Sequence, residues 1–141
     1  MAKALVFVLI VSFIVIALVH VVGLGAEWYW RYLWLDTVMH LAGGAWLALL
    51  FFYLFYERAK VFDAKKNFVL TLIAVLGFVA LAGVLWEFYE YFYDNIIAQL
   101  PPDTPRPHPS LYLDTLKDFL NDLIGGFLGT LIWWFCFRKL S

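Results

Sequence analysis

Three aspartates lie four residues apart in a segment that otherwise has the composition of a membrane helix. Asp114, Asp118 and Asp122 occur in LYLDTLKDFLNDLIGGFLG, with Lys117 and Asn121 beside them. A four-residue step turns an α-helix by about 40°, so the three carboxylates form one acidic stripe. A charge at the bilayer centre costs roughly 2.5–3.5 kcal/mol on insertion scales. Carboxylates grouped there need protons, basic side chains or a divalent metal ion to balance them.

Two other apolar segments carry ionisable residues with helical spacing. Asp36 and His40 are one turn apart in WLDTVMHLAGG, and Glu87, Glu90 and Asp94 fall at positions i, i+3 and i+7 of a later segment. This spacing places each set on one helix face. Because lipid rejects ionised side chains, we expect the sets to face one another inside the protein.

A mixed histidine and carboxylate group is typical of Zn²⁺, Mn²⁺ or Fe²⁺ sites, whereas carboxylates alone suit Mg²⁺, Ca²⁺ or Mn²⁺. The sequence leaves the identity of the divalent ion open. The predicted metal ligands are His40, Glu87, Asp118, Asp122, Asp36 and Asp114. Glu87 and Glu90 are the candidate catalytic bases, and Lys117 and Arg31 are the candidate residues for binding an anionic head group.

The composition predicts that these groups lie in a membrane. Of the 141 residues, 65% are hydrophobic and 15% are charged, compared with about 25% charged in a typical soluble domain. Four apolar segments reach the ~20 residues needed to cross a bilayer, at about 4–22, 34–56, 68–93 and 113–137. We therefore predict an all-α, integral membrane four-helix bundle formed by residues 1–141 as a single domain.

The basic residues predict the orientation of the spans in the inner or plasma membrane. Seven of them fall at the N-terminus, between spans two and three, and at the C-terminus, namely Lys3, Arg58, Lys60, Lys65, Lys66, Arg138 and Lys139. The opposite side has Arg31 and Arg106, with Lys117 at the mouth of span four. By the positive-inside rule both termini are cytoplasmic. The proline-rich loop at about 94–112 is then external and non-helical.

Several of these residues also have a purely structural interpretation. Asp36 and Asp114 suit the N-caps of helices, and His20 suits a hydrogen bond within the bundle or a place at the interface. The aromatic run WYWRYLW at 28–34 is typical of an interfacial belt, although it could also flank a lipid-binding cleft. His40, Glu87 and Asp118 could form a buried polar network that sets the helix register.

The motifs LDTVMHLAGG, WEFYE and LDTLKDFLNDLIGG resemble the YjdF-like family of small inner-membrane proteins of bacteria and archaea. More distantly they are similar to VanZ-like proteins, in which a comparable series of acidic residues and a histidine on successive helices ends with the run D-x3-N-x2-G-x3-G. Here that run reads Asp118, Asp122, Gly125 and Gly129, so Asp122 stands where VanZ-like proteins usually carry asparagine. The resemblance covers roughly residues 34–130 and implies a site rather than a reaction.

Three functional classes fit these residues. The first is a metal-dependent enzyme acting on a membrane lipid or lipid-linked phosphate at the external leaflet. The second is a cation- or proton-binding or transport protein, although the cytoplasmic halves of spans one to three are almost wholly apolar. The third is a structural membrane subunit, and a homo-oligomer is compatible with all three. No feature indicates nucleic-acid binding, and no GxSxG, HExxH, CxxC or P-loop pattern occurs.

Overall fold

The apolar segments of the sequence form long helices. The structure, a computed structural model, describes residues 2–61, 63–99 and 111–137. The long helices are α1 (Ala2–Gly25), α3 (Trp34–Phe51), α4 (Phe68–Phe92) and α5 (Leu111–Ile132), and the short helix α2 (Trp28–Arg31) joins α1 to α3. The last three long helices continue as π-helical segments over Phe52–Arg58, Tyr93–Ile97 and Trp133–Phe137.

Within the described residues, four helices are long and apolar enough to cross a membrane. Large apolar side chains cover their outer surfaces, with Phe7, Phe88 and Phe135 each about two-thirds exposed. Apolar side chains directed outward in this way are typical of a surface that contacts lipid. The predicted all-α class and four-helix architecture are confirmed.

The boundaries of the spans differ from the prediction at the proline-rich loop. Helical structure continues through Ile97, and α5 already begins at Leu111, so both ends of the segment predicted as a loop at 94–112 are helical. The five prolines lie outside the described residues. The apolar periodicity of the sequence stopped at the first polar residues, whereas the backbone hydrogen bonds continue for about one further turn.

Helices α3 and α5 form the tightest pair because glycines line their contact. A Cβ atom at Gly44 would collide with the backbone carbonyl of Asp122, and one at Gly125 would collide with the backbone carbonyl of Leu41. Small residues permit this close approach between membrane helices. The approach brings the first halves of α3 and α5 together, and these are the halves that carry the acids.

The opposite half of the bundle is apolar. The rings of Phe52 and Trp133 stack with centroids 4.0 Å apart, and Leu5, Val75 and Val79 are buried in the same cluster. Among the described residues, buried ionisable side chains thus lie at one end of the bundle, and a largely apolar core fills the other, where the buried hydroxyls of Thr71 and Thr130 donate to backbone carbonyls. Helix α1 packs on α3.

The orientation of this bundle in the membrane stays a prediction, and cysteine labelling tests it. Cys136 is exposed and must first be replaced. On that background, Asp63→Cys and Tyr32→Cys place exposed thiols at opposite ends of the bundle. We expect a membrane-impermeant maleimide added outside cells to label residue 32 and spare residue 63, because the basic residues cluster at the end that carries residue 63. The reverse pattern would contradict cytoplasmic termini.

Candidate functional site

His40 lies at the centre of a buried group of carboxylates. Its side chain is only 4% exposed, and its Nδ1 atom lies 3.2 Å from Oδ1 of Asp122 on α5. Its Nε2 atom lies 3.7 Å from Asp36, 3.9 Å from Asp118 and 4.0 Å from Glu90. Carboxylates from α3, α4 and α5 therefore converge on one imidazole ring.

Helical spacing and the contact between α3 and α5 together create this convergence. Asp36 and His40 are one turn apart on α3, and Asp118 and Asp122 are one turn apart on α5, so each pair shares a face. The glycine contact at Gly44 holds the backbone of Asp122 against α3. The carboxylates of α5 consequently reach the ring of His40 without long side chains.

Glu87 joins the group from α4. It is partly buried, and one of its oxygens lies within 4.8 Å of ligand atoms of both His40 and Asp118. Its buried Oε1 atom has no hydrogen-bond partner. The structure thus brings together three of the predicted ligands, His40, Glu87 and Asp118.

Lys117 carries the positive charge next to the group. Its ammonium lies 2.9 Å from Asp36, 3.2 Å from Asp114 and 3.1 Å from Asp118. The Oδ1 atom of Asp118 is buried without a hydrogen bond, because its contact with the ammonium is close but poorly aligned. Asp36, Asp114 and Asp118 could also hold a metal ion by distance, but the ammonium lies against all three. Asp114 is accordingly placed as a partner of Lys117.

The group contains more negative than positive charge. Lys117 and His40 together supply at most two positive charges. They lie among six carboxylates, those of Asp36, Glu87, Glu90, Asp114, Asp118 and Asp122. An uncompensated carboxylate is costly to bury. The group therefore has to take up protons or bind a cation.

The distances around His40 fit a metal ion. Zinc lies about 2.0–2.2 Å from nitrogen and oxygen ligands, so two ligand atoms of one ion are at most ~4.4 Å apart. The separations of 3.7, 3.9 and 4.0 Å from Nε2 of His40 fall within that limit. Two ligand sets of three residues share this histidine, one with Asp36 and Glu90 and the other with Glu87 and Asp118.

A cavity of about 430 Å³ opens beside the group and is lined by Asp36, His40, Glu90 and Asp122 together with apolar side chains of α1, α3 and α4. Ligand sites commonly have volumes of about 300–1,000 Å³. The ionisable group is therefore accessible to a molecule larger than an ion.

Arg31 is not brought to this group. It lies on α2, where its guanidinium is 3.7 Å from Glu27 and both side chains are about two-thirds exposed. The sequence predicts Arg31 near the acids because both lie at the same end of the bundle. The structure separates them because α2 packs on α1 and on α3 with the guanidinium directed to the surface.

Tyr29 is a residue whose position the sequence did not indicate. It lines the cavity, and its hydroxyl lies 2.9 Å from Nδ1 of His20. Burial raises the pKa of the Tyr29 hydroxyl, so this group stays protonated. The sequence does not distinguish Tyr29 from the other aromatic residues of WYWRYLW, because every ring in that run fits an interfacial belt equally well.

Comparison with known proteins identifies one family. The family model described as "Predicted membrane protein (DUF2238)" matches residues 3–139. No curated protein and no solved structure matches the chain. The YjdF-like resemblance is consistent with this family, and the more distant VanZ-like resemblance stays a prediction.

Proposed function

The chain belongs to the family of predicted membrane proteins designated DUF2238, and for this multi-pass membrane protein we propose a metal-dependent enzymatic function on a lipid or lipid-linked phosphate. The observation that carries the proposal is the convergence of carboxylates from three helices on the buried ring of His40. The excess of carboxylates over basic groups favours a divalent cation at this place.

The proposed ligands are His40 with either Asp36 and Glu90 or Glu87 and Asp118, since the ligand atoms of each set lie within 4.8 Å of one another. Asp122 holds the imidazole through Nδ1, which leaves Nε2 to face the ion. A carboxylate that fixes the second ring nitrogen in this way is usual for metal-binding histidines.

A bound divalent ion would polarise a phosphoryl oxygen and lower the pKa of a water molecule. With an ion held by Asp36, His40 and Glu90, Glu87 is the proposed general base, because its buried Oε1 atom is free of hydrogen bonds and its carboxylate lies beside His40. Lys117 is the proposed partner of an anionic head group, since its side chain is 26% exposed while its ammonium reaches the carboxylates. Arg31 could contact a head group only at the surface, where the structure places it.

Cation or proton transport is the second candidate, and the same excess of carboxylates favours it. A transported ion would need a polar route through the bundle. The other half of the bundle contains the buried, stacked rings of Phe52 and Trp133, which obstruct such a route. This contrast between the two halves is why we prefer catalysis at one leaflet.

Metal content tests the proposal. We expect the full chain, purified in lipid nanodiscs, to retain about one divalent ion per chain on elemental analysis, because the two ligand sets share His40 and cannot be filled together. Dialysis against a chelator should remove the ion, and readdition should restore it. Release of phosphate from phosphatidic acid should follow the ion content. Absence of binding at millimolar Mn²⁺ and Zn²⁺ would leave a protonated or purely structural network.

A further inference from the structure

The cavity beside His40 has one polar end and one apolar end. The apolar wall is formed by side chains of α1, α3 and α4, including Phe13, Ile16, Ala17, Leu47 and Ala82. The polar lining consists of the ionisable group around His40 together with His20 of α1 and Tyr29 of α2. A ligand that satisfies both ends has an apolar chain and a polar head.

His20 lines this cavity and carries an unpaired polar atom. Its Nε2 atom is buried and has no hydrogen-bond partner, whereas Nδ1 contacts the hydroxyl of Tyr29. In the tautomer in which the Tyr29 hydroxyl donates to Nδ1, the proton of the neutral imidazole lies on Nε2. A buried N–H group without an acceptor is destabilising. A ligand oxygen in the cavity would remove that cost.

The cavity can be reached from the side of the bundle. Phe13 and Val21 line it, yet they are 54% and 67% exposed on the outer surface. Helix α1 packs on α3 rather than on α4, and the ring of His20 meets Trp86 of α4 edge-on at 5.3 Å. Because residues that line the cavity are also exposed, we infer that an apolar chain enters it from the bilayer side.

We propose that this cavity binds the apolar chain of a single lipid molecule, and that Nε2 of His20 donates a hydrogen bond to an oxygen of its phosphorylated head group. The proposal rests on the proposed function, because the phosphate would lie next to the cation held by His40. It assigns to His20 and Tyr29 the recognition of the substrate.

Photo-crosslinking tests the proposal with the full chain in phosphatidylcholine nanodiscs containing Mn²⁺. The probe is dodecyl phosphate with a diazirine in its chain, and adducts are mapped by mass spectrometry. We expect saturable labelling of Ile16 and Leu47. Ala82→Leu fills the cavity and should reduce this labelling to background. Gly77→Leu is the control, because a Cβ atom there meets nothing within 4 Å, and it should label like the wild type.

His20→Phe keeps an aromatic ring against Trp86 and removes Nε2. We expect it to raise the half-saturating probe concentration about tenfold, the effect of losing one hydrogen bond to a charged group. Tyr29→Phe, which removes only the hydroxyl, should shift it in the same direction. Labelling that is unchanged by Ala82→Leu, or binding that is unchanged by both His20→Phe and Tyr29→Phe, would overturn the proposal.

An ion titration without the probe separates this proposal from the proposed function. If the protein binds the ion but Ala82→Leu does not change the labelling, the lipid site is rejected and the metal site is kept. Cavity-dependent labelling in a protein that binds no divalent ion would reject the metal enzyme and keep the lipid site.

Discussion

Replacing Asp118 by asparagine is expected to abolish the stabilisation of this protein by divalent ions. An ion that binds only the folded state adds RT ln(1 + [L]/Kd) to the free energy of unfolding, which is about 2.7 kcal/mol at one hundred times Kd. Asp118 is 4% exposed and lies 3.9 Å from Nε2 of His40. Thermal unfolding with and without Mn²⁺ or Zn²⁺ measures the effect, and the wild type should unfold at a higher temperature when the ion is present.

Asp114→Asn is the matched control for that experiment. Asp114 lies one turn before Asp118 on α5 and is also buried, but the structure places it on Lys117. This variant should retain most of the shift caused by the ion. In the presence of a chelator, Asp118→Asn should be as stable as the wild type or more stable, because it removes one buried carboxylate. Equal shifts in the wild type and Asp118→Asn would reject Asp118 as a ligand and leave only the set with Asp36 and Glu90, whereas the absence of a shift in both would reject the metal site.

Gly44→Ala is expected to destabilise the bundle by about 3 kcal/mol, the upper part of the usual range for overpacking. The added Cβ atom would collide with the backbone carbonyl of Asp122, and a backbone cannot move aside as a flexible side chain can. Helices α3 and α5 would have to separate, and the contact between His40 and Asp122 would lengthen. Thermal unfolding in nanodiscs measures the loss of stability.

Gly43→Ala provides the control at the adjacent residue of the same helix. A Cβ atom at Gly43 meets nothing within 4 Å, and alanine favours helix over glycine by up to about 1 kcal/mol. This variant should be at least as stable as the wild type. If the two variants unfold at the same temperature, the close contact of α3 and α5 at Gly44 does not hold the bundle together.

Much of the site could be predicted because membrane helices obey simple spacing rules. The composition alone indicates four spans, since long apolar segments have few other stable forms. The steps from Asp36 to His40 and from Asp118 to Asp122 place each pair on one face. The cost of exposing charge to lipid then directs those faces inward. Helical spacing and this cost together predict that His40, Glu87 and Asp118 lie close to one another.

Only the tertiary structure decided how the charged groups pair. Lys117 reaches Asp36 on another helix, and Arg31, equally basic, turns away to Glu27. The rotation and separation of the helices determine which partner a long side chain can reach, and local spacing does not specify either. The contact of His20 with Tyr29 likewise depends on how α1 and α2 meet around a cavity. The sequence alone determined which faces are polar, and the close approach of α3 and α5 determined which atoms on those faces meet.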